Sequence, residues 1–327
     1  MNLKILITGG AGFIGSHLTE SYLKKGHFVY IIDDLSTGSL DNIKPLMEHP
    51  EYKDRLFVTV DTILNTDTML ELVGTCDRVI HLAAAVGVRH VLDNPLMSLT
   101  TNLRGTGIVL ELCNKFRKKV MMASSSEVYG KHDHAPLTES DDTVFGSVHN
   151  WRWSYGATKL VDEFAALAYH KENQLPVVIV RLFNTAGPRQ TGEYGMVVPR
   201  LVHQALRNDV ITVYGDGTQT RTFTHVRDVV ECIERLLEAP EAFGQVFNIG
   251  GREEISIRAL AERIVKLTGS HSEIKLLPYE DVYPTDFEDM KRRVPSTEKL
   301  RKVIGMAPET DLDTILAEVI SYCRSEM

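Results

Sequence analysis

Tyr155 and Lys159, four residues apart in the run Tyr-Gly-Ala-Thr-Lys, are the pair in this sequence best suited to moving a proton. Leu160, Phe164, Leu167 and Ala168 continue with helical spacing, so the two side chains share a helix face and the ammonium can lie near the phenol. A free phenol ionises at about pH 10, and a nearby cation favours the phenolate, which makes the tyrosine a usable base. A second concentration of chemistry follows the apolar run Val120–Ala123, where Ser124, Ser125, Ser126 and Glu127 crowd three hydroxyls and a carboxylate onto one strand end.

A third feature stands at the start of the chain. Leu3, Ile5 and Ile7 mark a buried strand, Gly9, Gly12 and Gly15 follow at three-residue spacing, and Phe13, Ile14, His17, Leu18, Tyr22 and Leu23 continue as a helix. Strand, tight turn and helix in that order suit a dinucleotide: glycines admit the pyrophosphate, and the helix N-terminus offers it unpaired N–H groups. The apolar run Phe28–Ile32 ends in Asp33, placed to hold adenosine ribose hydroxyls. Asp34–Gly38 contains no Arg or Lys to neutralise a 2′-phosphate, so the expected cofactor is NAD rather than NADP. Leu56–Val60 forms a third strand ending at Asp61, which can accept from the adenine amino group or serve as a turn or helix-capping aspartate. After a fourth strand, Arg78–Leu82, the small residues Ala83, Ala84 and Ala85 let a cofactor pass.

The elements that must position these groups alternate regularly. A helix over residues 95–116 carries Asn102 in its middle, a place that demands a partner for the amide, such as a neighbouring loop or a buried water. Pro176–Val180 is a sixth strand, leading into Arg181 and Asn184. From about residue 185 the alternation loosens into a loop through Gly192 and Gly195, a helix over 197–207, the strand Ile211–Tyr214 and a hairpin-like turn at Gly215–Gly217. A helix over 226–238 and the strand Val246–Ile249 return to the main sheet. A helix over 256–268, a proline-containing stretch over 278–295 and helices near 297–303 and 311–325 complete a lobe whose candidate anion binders are Arg221, Arg292 and Arg293. The fold expected is α/β: a Rossmann-type doubly wound parallel sheet over residues 1–184 with 225–250 returning to it, and a smaller α/β substrate-binding lobe from 185–224 and 251–327.

At 327 residues with a net charge of −8, the chain can bury a full core and carries no basic run of the kind that tracks nucleic acid or anionic lipid. Cys76, Cys113, Cys232 and Cys323 are far apart and lack metal-ligand spacing, so no metal is expected and the thiols read as core residues of a cytoplasmic protein. No stretch approaches the length of a membrane span.

Taken together, Thr8–Gly15, Asp33, His81–Ala85, Ser124–Gly130, Tyr155–Lys159 and Arg181–Gln190 resemble the extended short-chain dehydrogenase/reductase family, specifically its NAD-dependent nucleotide-sugar epimerases, dehydratases and decarboxylases. The resemblance implies that Tyr155 is base and acid on the sugar C4 hydroxyl. It implies that Lys159 lowers the tyrosine pKa and holds the nicotinamide ribose, and that Ser125 bonds the same sugar oxygen. Asn184 then matches a diphosphate-binding asparagine, and Val213, Tyr214, Arg221 and Arg293 match lobe residues around base and phosphates, most often of UDP. Oxidation at C4 gives a 4-keto sugar, and the bound cofactor is restored when the hydride returns.

Where related dehydratases carry adjacent Asp and Glu, this chain has Ser126 and Glu127, which argues against dehydration because serine is a poor acid for a leaving hydroxyl. The decarboxylase pattern of Thr-Ser-Glu, an arginine three before the tyrosine and a late Arg-x-Pro fits better, through Ser126, Glu127, Arg152 and Arg293–Pro295. Ser125 replaces its threonine, and Val86–His90 departs from its loop. A 4-epimerase needs only Tyr155 and Ser125, so decarboxylation and 4-epimerisation both stay open. A binding protein that had kept the fold and lost catalysis would be expected to lack Tyr155 or Lys159, and both are present. The resemblance also implies a homodimer through helices 95–115 and 155–172, with Ala165, Ala166 and Ala168 as small interface positions, unless these pack on their own sheet.

Overall fold

The computed structural model describes residues 2–132, 134–192, 196–283 and 288–327. Its first half runs β1 (Lys4–Thr8), α1 (Phe13–Lys24), β2 (Phe28–Asp33), α2 (Lys44–Met47), β3 (Leu56–Val60), α3 (Thr66–Thr75), β4 (Arg78–His81), α4 (Val88–Asp93), α5 (Pro95–Lys115), β5 (Lys119–Ser125), α6 (Ser154–Asn173) and β6 (Val177–Leu182). The second half runs β7 (Thr185–Ala186), α7 (Val197–Arg207), β8 (Ile211–Tyr214), β9 (Thr220–Thr222), β10 (Thr224–His225), α8 (Val226–Glu238) and β11 (Gln245–Ile249). It ends with β12 (Glu254–Ser256), α9 (Ile257–Thr268), β13 (Ile274–Leu277), β14 (Arg292–Arg293), α10 (Glu298–Ile304) and α11 (Leu312–Ser325).

Alternation along the strands dictates two helical layers. In β1, Ile5 and Ile7 join one apolar cluster with Leu18, Leu23, Val229 and Ile233, supplied by α1 and α8. Leu6 joins another with Val73, Val109, Leu110 and Ala166, supplied by α3, α5 and α6. Strands buried on both faces belong in a parallel sheet. Seven described strands form one, all parallel, in the order β11-β6-β5-β4-β1-β2-β3. This is the expected doubly wound architecture, with β11 returning to pair with β6.

The lobe has its own core, in which Leu201, Val202, Ile211, Leu260, Ile264, Ile315 and Leu316 pack together. The Gly215–Gly217 turn is not a hairpin: β8 pairs in parallel with β13, whereas β9 pairs with β12 and β14. Both glycines have positive φ, so the turn redirects the chain between two small sheets. The short helices α2 and α4 and the longer α3 were also not anticipated. Gly195 and residues 284–287 of the proline-containing stretch lie outside the described residues.

All four cysteines are buried free thiols, and burial pushes Cys76, Cys113 and Cys232 up to about 12. No described helix is long and apolar enough to cross a membrane.

Candidate active site

Between β1 and β4 the strand order reverses, which opens a crevice beyond their carboxyl ends. A cavity of about 470 Å³ is lined there by the glycine turn and by residues of β5, α6 and the lobe. The turn is shaped by close approach. Gly9 has φ +72°, and a Cβ there would lie 2.9 Å from Ala83 N; a Cβ on Gly15 would lie 2.1 Å from Gly9 O. Gly12 caps α1 without a side-chain bond, and Phe13 and Ile14 line the cavity beside it. This leaves a backbone cradle at a helix N-terminus, the setting that suits a pyrophosphate.

Asp33 is braced by the N–H groups of Ala11 and Leu35, both at 2.9 Å. Burial raises its carboxyl pKa, against the pull of these donors. Asp61 also lines the cavity, but its oxygens accept from Thr62 N, Asn65 Nδ2 and Thr68 Oγ1, so it organises the turn that starts α3. Asn102 finds its expected partner: Oδ1 accepts from Ala85 N at 2.8 Å, which anchors the small-residue loop containing Ala83.

The Ser125 hydroxyl accepts from Glu127 N at 3.2 Å and lines the same cavity as Tyr155. Tyr155 and Lys159 both line the cavity, as the helical spacing requires. The phenol pKa is nevertheless raised, first by burial, then by the Glu127 charge and by Asp162, with the Ser125 hydroxyl opposing. Lys159 Nζ lies 3.6 Å from Asp162 Oδ2, so in this structure the ammonium is shared with a carboxylate that the sequence reading overlooked.

Beside Ser126, an asparagine-capped turn over Trp151–Trp153 delivers Arg152 to the cavity just before α6. Its Nη2 donates to Glu127 Oε1 at 2.9 Å, its Nη1 donates to Oε2, and Arg293 Nη1 reaches the same Oε1 at 2.6 Å. The guanidiniums hold the Glu127 carboxyl down at about 2 against the opposing effect of burial. Asp289 accepts from Arg221 Nη2 at 2.8 Å and stands 3.6 Å from Arg152. Three guanidiniums against two carboxylates leave positive charge uncompensated, and among the described residues no partner reaches the buried Nε of Arg152, Arg200 or Arg293. Such a site favours an anionic ligand.

In the lobe, Asn184 Nδ2 donates to Thr222 O, and Tyr214 lies under the Arg200 guanidinium at 4.2 Å. Both line the cavity, as do Arg221 and Arg293. Val213 does not, because strand alternation turns it into the lobe core with Ile211. Arg292 is a surface residue bonded to Glu254 at 2.7 and 2.8 Å. Ala165 and Ala166 pack on their own sheet, whereas Val161, Phe164 and Ala168 are exposed. Arg200, Tyr279, Tyr283 and Asp289 also line the cavity; no sequence motif pointed to them.

A family model described as GDP-mannose 4,6 dehydratase matches residues 6–319. The chain belongs to this family. Within the family it is 40% identical over 325 residues to a UDP-N-acetyl-alpha-D-glucosaminuronate decarboxylase of Bacillus cytotoxicus, covering 99% of this chain and 98% of that protein. It is 34% identical to UDP-glucuronic acid decarboxylase 1 of Xenopus tropicalis, over 99% of this chain and 73% of that one. Among solved structures, a UDP-glucuronic acid 4-epimerase from Bacillus cereus in complex with UDP-glucuronic acid and NAD superposes with a TM-score of 0.88 at 32% identity, covering 99% of this chain and 100% of that one. Membership of this extended short-chain dehydrogenase/reductase family makes the protein an enzyme, as the resemblance implied.

Proposed function

We propose that the protein is an NAD-dependent UDP-hexuronate decarboxylase. The observation that carries this reading is the Glu127 carboxylate held between Arg152 and Arg293 beside Ser126. A carboxyl held at about 2 stays ionised and is a weak base, and Ser126 is no acid for a leaving hydroxyl, so dehydration is disfavoured. The excess of guanidinium charge suits a sugar that bears a carboxylate as well as a diphosphate. The 40% identical relative is named for such a decarboxylation.

The residues present fit the cofactor: the Gly9, Gly12 and Gly15 cradle for the pyrophosphate, Asp33 for the adenosine ribose, Ala83 along the passage and Lys159 for the nicotinamide ribose. Bound NAD supplies reversible oxidation at the sugar C4. Tyr155 takes the C4 hydroxyl proton. The Ser125 oxygen already accepts from Glu127 N–H, so its own proton is available to Tyr155 or to the sugar oxygen. A carboxylate on C5 is β to the resulting ketone, so its C–C bond breaks with the electron pair passing to the C4 oxygen, where Tyr155 and Ser125 can donate. Carbon dioxide leaves, C5 takes a proton, and C4 is reduced again to give a UDP-pentose. Asn184 and Arg221 serve the diphosphate, and Tyr214 the base. Residues 1–184 with 225–250 form the cofactor domain, and 185–224 with 251–327 form the sugar lobe.

The second reading, 4-epimerisation of the same substrate class, is favoured by the superposition on the UDP-glucuronic acid 4-epimerase and requires only Tyr155 and Ser125. Incubation of the purified protein with UDP-glucuronate, UDP-N-acetylglucosaminuronate and UDP-glucose, followed by mass spectrometry, separates the readings. Loss of carbon dioxide from a hexuronate supports the proposal; an unchanged mass with a new isomer means epimerisation, and loss of water means dehydration. The exposed Val161, Phe164 and Leu103 on α6 and α5 support a homodimer, which light scattering tests. The buried free thiols suit a reducing cytoplasm.

A further inference from the structure

Lys159 and Asp162 occupy successive turns of α6, and both are buried. The Asp162 carboxylate also accepts from Thr106 Oγ1 of α5 at 3.1 Å. Because a carboxylate can only accept, the threonine proton is committed to it, and the 3.2 Å contact between Thr106 Oγ1 and His81 Nε2 must run from the imidazole N–H. His81 is then the Nε2–H tautomer, with Nδ1 accepting from Thr8 Oγ1 at 2.8 Å. The Thr8 oxygen in turn accepts from Ala83 N at 3.2 Å.

Every proton in this chain is assigned. It runs from the residue before Gly9 and from the Ala83 loop, through β4 and α5, to the Asp162 carboxylate that holds the Lys159 ammonium. Burial, reinforced by the Lys159 charge, holds the His81 imidazole down at about 3, so it stays neutral and the direction of the chain is fixed.

We propose that Asp162 is a positioning residue that holds and partly neutralises the Lys159 ammonium, and so sets how readily Tyr155 gives up its proton. The proposal rests on reading Tyr155 as the proton carrier. Helical spacing puts the lysine on the same face as the phenol, but it does not supply the full effect of a cation, because a buried carboxylate shares the ammonium. The other groups facing this pair are constrained. From β5 and the turn after it come Ser125 and Glu127, the latter bound by Arg152 and Arg293. From β4 and α5 come His81 and Thr106. On α6 itself, Glu163 is bound by Arg181 at 2.7 Å. Asp162 is the acidic member whose hold is light enough to tune: burial raises its carboxyl against the pull of Lys159 and Thr106.

The test compares the unaltered protein with Asp162→Asn and Thr106→Ser, each in the Tyr155 and the Tyr155→Phe background. Difference titration of tyrosinate absorbance isolates the Tyr155 phenol, and the pH dependence of kcat/KM on UDP-hexuronate is recorded beside it. Removing the negative charge favours the phenolate, so Asp162→Asn should lower the ionisation pH of Tyr155 by about one unit and move the acid limb of the rate profile down equally. Thr106→Ser keeps the hydroxyl and should move neither. A uniform loss of kcat at all pH values with an unmoved titration overturns the proposal. Should Asp162→Asn fail to fold, Thr106→Val is the substitute: it weakens the hold on the carboxylate and should give a smaller shift of the same sign, and no shift overturns the proposal. A tyrosinate shift without turnover of any UDP-hexuronate supports this inference and removes the proposed reaction.

Discussion

Glu127 and Arg152 face each other in a two-pronged ion pair inside the cavity, and Arg293 closes on the same carboxylate from β14 at 2.6 Å. Glu127→Gln removes the charge while keeping the shape, leaving two buried guanidiniums short of a partner. The expected loss of stability at neutral pH is about 3 kcal/mol. The carboxyl is depressed to about 2, so its contribution is complete above the ordinary glutamate range and is lost as pH falls through that range towards about 2. Urea denaturation at a series of pH values should show the gap between wild type and variant constant near neutrality and narrowing under acid. A gap that widens as pH falls refutes the assignment.

Tyr155→Phe removes the hydroxyl that takes the proton from the sugar C4 oxygen and leaves Ser125 without its partner in that exchange. Turnover should fall by about a thousandfold or more, within the range and just beyond for lost general acid–base catalysis. NAD affinity, measured by calorimetry, should stay within a few-fold, because the cradle at Gly9–Gly15 is untouched. Substantial retained turnover would take Tyr155 out of the mechanism.

Gly15→Ala tests the cradle. The new Cβ would stand 2.1 Å from Gly9 O and 2.8 Å from Gly10 Cα, both backbone atoms, so no side-chain rotation relieves the clash. The turn itself must shift, at a cost of about 1–3 kcal/mol. Because the same turn faces the pyrophosphate, the NAD Kd should rise about tenfold or more, each 1.4 kcal/mol being about tenfold. Unchanged affinity by calorimetry would mean that the cofactor lies elsewhere.

The sheet was legible because parallel strands buried on both faces read as unbroken apolar runs. The cavity was legible where its residues belong to compact motifs, such as Tyr155 with Lys159 or Ser125 with Glu127. Helices α2 and α4 escaped notice because one or two turns carry too little periodicity to register. Asp289 and Tyr279 were invisible for another reason: Asp289 accepts from Arg221 and from the Tyr279 hydroxyl, Asp289 and Tyr279 both lie in a stretch without a repeating pattern, and only tertiary folding brings that stretch to Arg221. Position alone misled at Val213, since a one-residue step along β8 exchanges the cavity side for the core. Asp162 was readable in principle, three residues beyond Lys159 on the same helix, but the argument for its partnership needs Thr106 and His81, which lie far off in sequence.

Asn102→Leu addresses the mid-helix asparagine. Leucine suits a helix better than asparagine does and fills similar space, so any loss must come from the amide. That amide is the partner of Ala85, whose N–H is buried and bonded at 2.8 Å. An orphaned buried donor costs about 1–3 kcal/mol, which should exceed the gain in helix propensity and lower the melting temperature. The more specific readout is local. Hydrogen exchange followed by mass spectrometry should show faster exchange over residues 82–87, with the α5 amides on either side of position 102 still protected. Since Ala83 and Ala85 line the cavity, the same loosening should raise the KM of the enzyme more than it lowers kcat. Exchange accelerated equally along α5 would mean that the asparagine supports the helix and not the loop.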